Sequence, residues 1–209
     1  MRISDYGFTP LPRGVPNESE KRVKRPLRLG FVGTLVWHKG VHVLLEAIRG
    51  LRPDAYELNI FGDPAVFPAY TAQLRAQAAG LPVHFAGAFE RVAAARVYAN
   101  MDVLVVPSLW LENSPLVIHE AFMSGVPVVG ARIGGIADLL TDEQRGLLYA
   151  PPDSPAALES VLRGLIENPD RLGRFAKSLP RVKSMAEDAE QWEGIYADLV
   201  AQRAARTAP

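Results

Sequence analysis

Cysteine is absent from this 209-residue chain, which excludes disulfide bonds and thiolate metal sites. An excess of one charge is also absent, because 23 lysines and arginines balance 23 aspartates and glutamates. This balance gives no sign of a large nucleic-acid surface. No apolar run approaches the roughly 18 residues of a membrane span, and residues 1–7 lack the apolar core of a signal peptide. We therefore expect a cytoplasmic globular protein with one main domain.

Proline, glycine and basic residues set residues 1–26 apart from the rest of the chain. This composition predicts a linker or an N-terminal remnant outside the packed core. The basic cluster at 21–25 is interpreted as a solvated tether, with contact to an anionic surface as the alternative. We assign residues 27–203 to one domain and residues 204–209 to a tail at the frayed end of a helix.

Apolar runs of strand length alternate with helix-spaced apolar residues from residue 27 onward. Strands are predicted at 27–35, 56–62, 83–86, 102–107, 127–130 and 146–149. Helices are predicted at 41–48, 69–79, 92–100, 115–123, 136–140, 155–166 and over most of 170–203. The alternation predicts an α/β fold, a single Rossmann-like, doubly wound parallel sheet with helices on both faces. Such sheets bind ligands beyond the carboxyl ends of their strands, so we looked for chemistry at the strand-to-helix junctions.

Two carboxylates, Glu112 and Glu120, lie on either side of a predicted helix start that follows a buried strand. We predict Ser114 as the N-cap of this helix and Pro115 as its first residue. The following N–H groups then lack partners within the helix and favour an anion. Carboxylates on both sides can bind hydroxyls attached to that anion, which indicates a phosphate linked to sugars. The alternative is a loop charge at Glu112 and a helix-dipole partner at Glu120.

Other junctions carry glycine and one lysine. Gly33 permits close approach of a ligand to the backbone, and Lys39 lies near a helix start that favours phosphate. The alternative is a turn glycine and a surface lysine, and the P-loop spacing is absent. Gly62 follows the second predicted strand. Gly87 and Phe89 follow the third, where they can border a planar base, although Phe89 alone also suits a core position.

Metal-ligand spacing is absent among the four histidines, so the sequence predicts no metal site. The chain also lacks the Gly-x-Ser-x-Gly elbow of serine hydrolases, which argues against that class of enzyme.

In their order and spacing, these segments resemble the donor-binding half of the retaining GT-B glycosyltransferases of family 4, the glycosyl transferases group 1. The segments that carry the likeness are 31–33, 39–41, 102–108, 112–117, 120–122, 125–129, 133–136 and 146–149. The likeness covers roughly residues 27–203. It implies one half of a GT-B fold.

The resemblance implies a role for each matching position. Glu112 would contact the transferred sugar near the reaction centre, and Glu120 would hold the ribose hydroxyls. The backbone N–H groups near Leu116 and Val117 would receive the distal phosphate, while Lys39 would neutralise the diphosphate. The other donor-binding positions implied are Gly33, Thr34, Gly62, Gly87, Phe89, Ser108, Asn113, Ser114 and Pro115.

The implied reaction is sugar transfer from a nucleotide diphosphate with retained anomeric configuration and without a metal or other cofactor. A UDP-sugar is favoured over a GDP-sugar as donor. Many relatives carry an arginine where this chain has Thr34, so diphosphate binding relies more on Lys39 and the helix, or on another basic residue. On this division of roles, Glu120→Ala weakens nucleotide binding, whereas Glu112→Ala leaves binding of the bare nucleotide nearly unchanged.

Enzymes of this family have a second Rossmann-like domain that binds the acceptor. The resemblance therefore implies that full transfer needs an N-terminal acceptor domain or a partner chain, and that any membrane contact is indirect, through the acceptor. We expect the last helical region to include a segment that crosses back to that domain, and exposed apolar surface there to drive dimerisation. The alternatives are a non-catalytic nucleotide-binding or interaction module of the same fold and, more distantly, a nucleotide-sugar 2-epimerase.

Overall fold

The computed structural model describes residues 7–11, 26–140 and 145–207. The chain divides into two compact units, one of Leu11–Pro180 and one of Met1–Pro10 with Arg181–Pro209. Most of the predicted linker, including the basic cluster at 21–25, lies outside the described residues, as does the end of the predicted tail at 208–209. The predicted domain boundaries therefore stay predictions.

Six parallel strands form one sheet in the larger unit. They are β1 (Leu27–Val32), β2 (Tyr56–Phe61), β3 (Val83–Gly87), β4 (Val103–Val106), β5 (Val128–Ala131) and β6 (Gly146–Tyr149). Their order across the sheet is β3-β2-β1-β4-β5-β6. Helices cover both faces, which confirms the predicted doubly wound α/β fold.

The helices described are α1 (Val41–Arg49), α2 (Pro68–Gln77), α3 (Ala94–Ala99), α4 (Leu116–Met123), α5 (Gly134–Leu139), α6 (Pro155–Glu167), α7 (Asp170–Ser178) and α8 (Met185–Thr207). The apolar pattern of the sequence is clearest in α1, where it matches the buried face of the helix. In α1, Val41, Leu44, Leu45 and Ile48 recur at helical spacing, and all four are fully buried. All residues of β4 are buried as well, as expected for a parallel strand covered on both faces.

The switch point of the sheet lies between β1 and β4. From β1 the strand order runs to β2 and β3 on one side, and from β4 it runs to β5 and β6 on the other. Helices therefore diverge from this point and leave a crevice at the carboxyl ends of the two strands.

The opposite end of the same strand pair is joined by a buried ion pair. The backbone N–H of Arg28 donates to Asp102 Oδ2 at 2.8 Å, and the guanidinium donates to Oδ1 at 2.8 Å. The backbone N–H of Asp102 in turn donates to the Arg28 carbonyl at 2.8 Å. These bonds hold β1 and β4 in register.

Several element boundaries differ from those predicted. β1 ends at Val32, so the predicted last residues of this strand, 33–35, lie in a loop, and a 3-10 helix follows at Trp37–Lys39. The predicted helix at 92–100 begins as a 3-10 turn at Arg91–Ala93, and α5 begins two residues early, at Gly134. The last helical region breaks between α7 and α8, where Pro180 has no N–H group to donate.

In the smaller unit, the backbone of Phe8 pairs with the segment that precedes α8. Its N–H donates to the Lys183 carbonyl at 2.9 Å, and the Met185 N–H donates to the Phe8 carbonyl at 3.0 Å. On α8 the exposed apolar side chains include Trp192, Tyr196, Leu199 and Val200. This is the kind of apolar surface that the sequence predicts there, and dimerisation through it stays a prediction.

A capping box begins α8. The N–H and hydroxyl groups of Ser184 both donate to Glu187 Oε2 at 2.8 Å, and the Glu187 N–H returns a bond to Ser184 Oγ at 3.2 Å. The Ser184 backbone bond, the Ser184 hydroxyl and then Arg181 lower the pKa of Glu187 to about 2.

Candidate functional site

The loops that follow β1 and β4 are joined by backbone contacts. The His38 carbonyl accepts from the Leu109 N–H at 2.7 Å and lies 3.2 Å from the Ser108 hydroxyl. Gly40 has φ 71°, and a Cβ there would lie 1.8 Å from the Pro107 carbonyl oxygen. Only glycine allows this approach, so the two loops form one continuous edge of the site.

A cavity of ≈ 300 Å³ opens at this edge, beyond the carboxyl ends of β1 and β4. This volume lies at the lower end of the range for small-molecule sites. The lining residues are Phe31, Val32, Gly33, Thr34, Lys39, Val105, Val106, Ser108, Glu112, Ser114, Pro115, Leu116 and Val117. The structure thus brings together the loop after β1 and the start of α4, as predicted from the fold.

Glu112 and Lys39 are paired inside this cavity. Glu112 Oε1 accepts from Lys39 Nζ at 2.5 Å and from Ser108 Oγ at 2.9 Å. The side chains of Lys39 and Glu112 are 31% and 15% exposed, and Ser108 is buried. The predicted phosphate cation and the predicted sugar-binding carboxylate therefore form an ion pair with each other.

The backbone of Glu112 is fixed by its neighbours. Its N–H donates to the Trp110 carbonyl at 2.8 Å, and its carbonyl accepts from the Gly135 N–H at 2.7 Å. A Cβ at Gly135 would lie 1.6 Å from the Asn113 carbonyl oxygen. Gly135, the second residue of α5, therefore supports the Glu112 loop through the backbone.

The start of α4 lies one residue later than predicted. Pro115 is the N-cap residue, in extended conformation with ψ 116°, and the helix begins at Leu116. The predicted capping role of Ser114 is therefore wrong, because its hydroxyl lies 2.8 Å from Nε2 of the buried His119 instead. The cavity still includes Ser114 and Pro115 as well as Leu116 and Val117, whose N–H groups have no preceding helical turn to bind.

Glu120 lies outside the lining of the cavity, one turn into α4. Its Oε2 accepts from the Tyr98 hydroxyl at 2.8 Å, and its Oε1 lies 3.9 Å from a guanidinium nitrogen of Arg91. The side chain of Glu120 is 18% exposed. Burial and, less strongly, the charge of Glu120 raise the pKa of Tyr98.

Gly62, Gly87, Phe89 and Asn113 also lie outside the lining residues. The Gly62 N–H donates to the Gly87 carbonyl at 3.0 Å, and the Phe89 ring meets Phe61 edge to face at 5.6 Å. These contacts place three of the predicted positions together at the ends of β2 and β3, on one side of the cavity strands. Their predicted contact with a base stays a prediction.

The rim of the site exposes large aromatic side chains. Trp37 is 60% exposed and Trp110 is 61% exposed. The His38 ring lies between them, with ring centroids 5.8 Å and 5.9 Å away. Such exposed apolar groups are typical of surfaces that bind a ligand or another protein surface.

Sequence reasoning missed the apolar floor of the cavity, which consists of Phe31, Val32, Val105 and Val106. These residues end β1 and β4, so they could have been found as the last residues of the two strands at the switch point.

Within residues 7–11, 26–140 and 145–207, no three histidine, aspartate or glutamate side chains gather as they would around a metal ion. Among the described helices, none is both long and apolar enough to span a membrane.

Comparison with known proteins relates the chain to sugar-transferring enzymes. The family model described as "Glycosyl transferases group 1" matches residues 26–168. D-rhamnosyltransferase WbpZ of Pseudomonas aeruginosa is 29% identical over 190 residues, which covers 85% of this chain and 48% of that protein. D-inositol 3-phosphate glycosyltransferase of Xylanimonas cellulosilytica is 30% identical over 220 residues, which covers 95% and 50%.

Solved structures agree on the fold. Anabaena Alr3699/HepE, in complex with UDP and glucose, matches with a TM-score of 0.73 and 21% identity over 88% of this chain and 55% of that one. Sucrose-phosphate synthase from Thermosynechococcus elongatus matches with a TM-score of 0.71 and 24% identity, covering 92% and 52%. The chain therefore spans about half the length of the curated relatives and the solved structures that it matches.

Proposed function

The chain belongs to the glycosyl transferases group 1 family, and on that premise we propose that it binds the nucleotide-diphosphate sugar donor of a retaining glycosyl transfer. One observation carries the proposal. A lysine, a helix start and a carboxylate line one cavity at the switch point of the sheet. HepE, which shares the fold, was solved with UDP and with UDP-glucose, and this supports a UDP-sugar as the donor.

The proposed donor lies along the edge of the sheet. Its diphosphate binds Lys39 and the N–H groups of Leu116 and Val117, where a cation and the helix dipole both favour negative charge. The transferred sugar then lies beside Glu112. The ribose extends toward Glu120, and the base extends toward the ends of β2 and β3.

Transfer breaks the bond between the anomeric carbon of the sugar and the diphosphate oxygen, and it forms a bond to an acceptor hydroxyl oxygen. The acceptor hydroxyl releases its proton to solvent, and the nucleoside diphosphate leaves with one additional negative charge. We propose that Lys39 and the start of α4 offset this charge without a metal. Lys39 must turn from Glu112 to the phosphate as the donor binds, and this releases Glu112 to bind the sugar.

Full transfer requires a surface for the acceptor. Because the matched relatives are about twice as long as the matched region, we propose that a second half binds the acceptor, in the same protein or in a partner chain. The exposed tryptophans at the rim are suited to face that half. Contact with a membrane, if the acceptor is a lipid, would then be indirect.

Calorimetric titration of the chain with UDP, GDP and UDP-glucose tests the proposal. We expect UDP to bind and Lys39→Met to weaken binding by about 10- to 100-fold, the scale of a lost hydrogen bond to a charged group. Lys177→Met, which removes an exposed lysine on α7, is the matched control and should leave binding unchanged. A folded wild-type chain that binds none of the three ligands would favour the non-catalytic interaction module instead.

A further inference from the structure

Tyr98 is linked to the proposed nucleotide site by a hydrogen bond to the side chain of Glu120. It lies on α3 and is 0% exposed, and α3 packs beside α4. Its hydroxyl donates to Glu120 Oε2 at 2.8 Å. A tyrosine ring has few rotatable bonds and is held here by the core, so its hydroxyl is a fixed donor.

A fixed donor can order the Glu120 side chain, which is long and has several rotatable bonds. A glutamate loses much of its rotamer freedom when it is ordered, and this loss opposes binding. If Tyr98 orders the carboxylate before the ligand arrives, this cost is not subtracted from the affinity. A carboxylate also has about four acceptor positions, so one bond from Tyr98 leaves enough for two further hydroxyls.

We propose that Tyr98 is a positioning residue, which holds the Glu120 carboxylate in place to accept both ribose hydroxyls of the donor nucleotide. The proposal rests on the proposed function, because it assigns a second residue to the same nucleotide site. A tyrosine hydroxyl is already protonated at neutral pH, because its ordinary pKa is about 10. Burial and the Glu120 charge raise the pKa of Tyr98 further, so its hydroxyl remains a donor.

A purely structural hydroxyl is the competing explanation. It would affect the stability of the domain and would weaken every ligand alike. A positioning role affects only ligands that carry the ribose hydroxyls. The ratio of affinities for UDP and for 2′,3′-dideoxyuridine diphosphate separates the two, because these ligands differ only at the hydroxyls.

The experiment measures both ligands by calorimetry on the wild type, Tyr98→Phe, Glu120→Gln and a control. Tyr149→Phe is the matched control, since Tyr149 is also buried and its hydroxyl donates to the Pro152 carbonyl at 3.2 Å, on the edge strand β6. We expect Tyr98→Phe to weaken UDP binding by about 5- to 10-fold, less than the loss of a direct bond to the ligand, because Tyr98 acts only by ordering Glu120. Binding of the dideoxy ligand should stay unchanged, and Tyr149→Phe should alter neither.

Three outcomes would overturn the inference. In the first, Tyr98→Phe keeps the wild-type ratio of the affinities for UDP and for the dideoxy ligand, while Glu120→Gln loses it. Glu120 then binds ribose without help from Tyr98, and the proposed function survives. If Tyr98→Phe weakens both ligands equally and lowers the melting temperature, the hydroxyl is structural. If the folded wild type binds neither UDP nor GDP, the inference fails together with the proposed function.

Discussion

Replacement of Glu112 by glutamine tests the most direct consequence of the cavity geometry. Lys39 donates to Glu112 at 2.5 Å, so a diphosphate that needs this lysine must displace a carboxylate. Glutamine has the same length, and its carbonyl oxygen can still accept from Ser108. Only the charge that competes for Lys39 is removed. We therefore expect Glu112→Gln to bind UDP more tightly than the wild type does.

The size of the effect follows from the exposure of the pair. Ion pairs on open surfaces contribute about 0.2–1 kcal/mol, and hydrogen bonds to charged groups contribute about 1.5–3 kcal/mol. The Lys39–Glu112 pair is partly buried, at 31% and 15% exposed, and the glutamine oxygen can still accept weakly from Lys39. A net gain of about 1 kcal/mol corresponds to roughly fivefold tighter binding. The division of roles inferred from the sequence alone predicts almost no change.

Calorimetric titration with UDP is the assay, and a double-mutant cycle isolates the pair. Once Lys39→Met has removed the lysine, the further change Glu112→Gln should have little effect. Glu159→Gln, which removes a carboxylate paired with Arg163 on α6, is the matched control and should bind like the wild type. Unchanged or weaker UDP binding by a folded Glu112→Gln variant would refute the competition.

Two further predictions concern stability. Asp102→Ala leaves the largely buried Arg28 without its carboxylate, and we expect it to lower the free energy of unfolding in urea by about 3–5 kcal/mol. Asp54→Ala, which breaks an exposed pair, should have little effect, and similar losses in both variants would contradict the argument. The pKa of Glu187 is lowered to about 2 from a model-peptide value of 4.5, so its stabilisation of the α8 start is complete above about pH 4.5 and is lost as the pH falls through about 2. The protection of the Ser184 and Glu187 amides, measured relative to their intrinsic exchange rates, should fall over that range, and Glu187→Gln should remove this pH-dependent loss of protection. If the variant loses protection with pH as the wild type does, Glu187 is not the cause.

The fold could be predicted from the sequence because its signal is local and repeated. The four buried residues of β4 form one continuous apolar run, and the buried face of α1 is visible in the spacing of residues 41–48. Element ends were harder, because they depend on single backbone contacts. α4, for example, begins after Pro115 and not at it, since Ser114 bonds to His119 instead of capping the helix.

The site could be predicted only in part. The fold principle that ligands bind at strand ends led to Lys39 and Glu112, but their direct contact joins residues 73 positions apart, and no local pattern reveals it. The bond from Tyr98 to Glu120 depends on how α3 packs beside α4, which residue spacing does not define. The capping box at Ser184 and Glu187, by contrast, is a local motif that could have been recognised from the sequence.

The distance along the chain between Lys39 and Glu112 also has a consequence for folding. Contacts of such long range form late, after the loop-closure entropy between them has been overcome. A nucleotide that bridges Lys39 and the start of α4 would therefore bind the assembled sheet and not a partly folded chain. At a ligand concentration of 100 times Kd, such selective binding adds about 2.7 kcal/mol to the free energy of unfolding. The nucleotide would thus serve as a reporter of complete folding, because a rise in Tm with ligand concentration shows that it binds the folded chain in preference to the unfolded one.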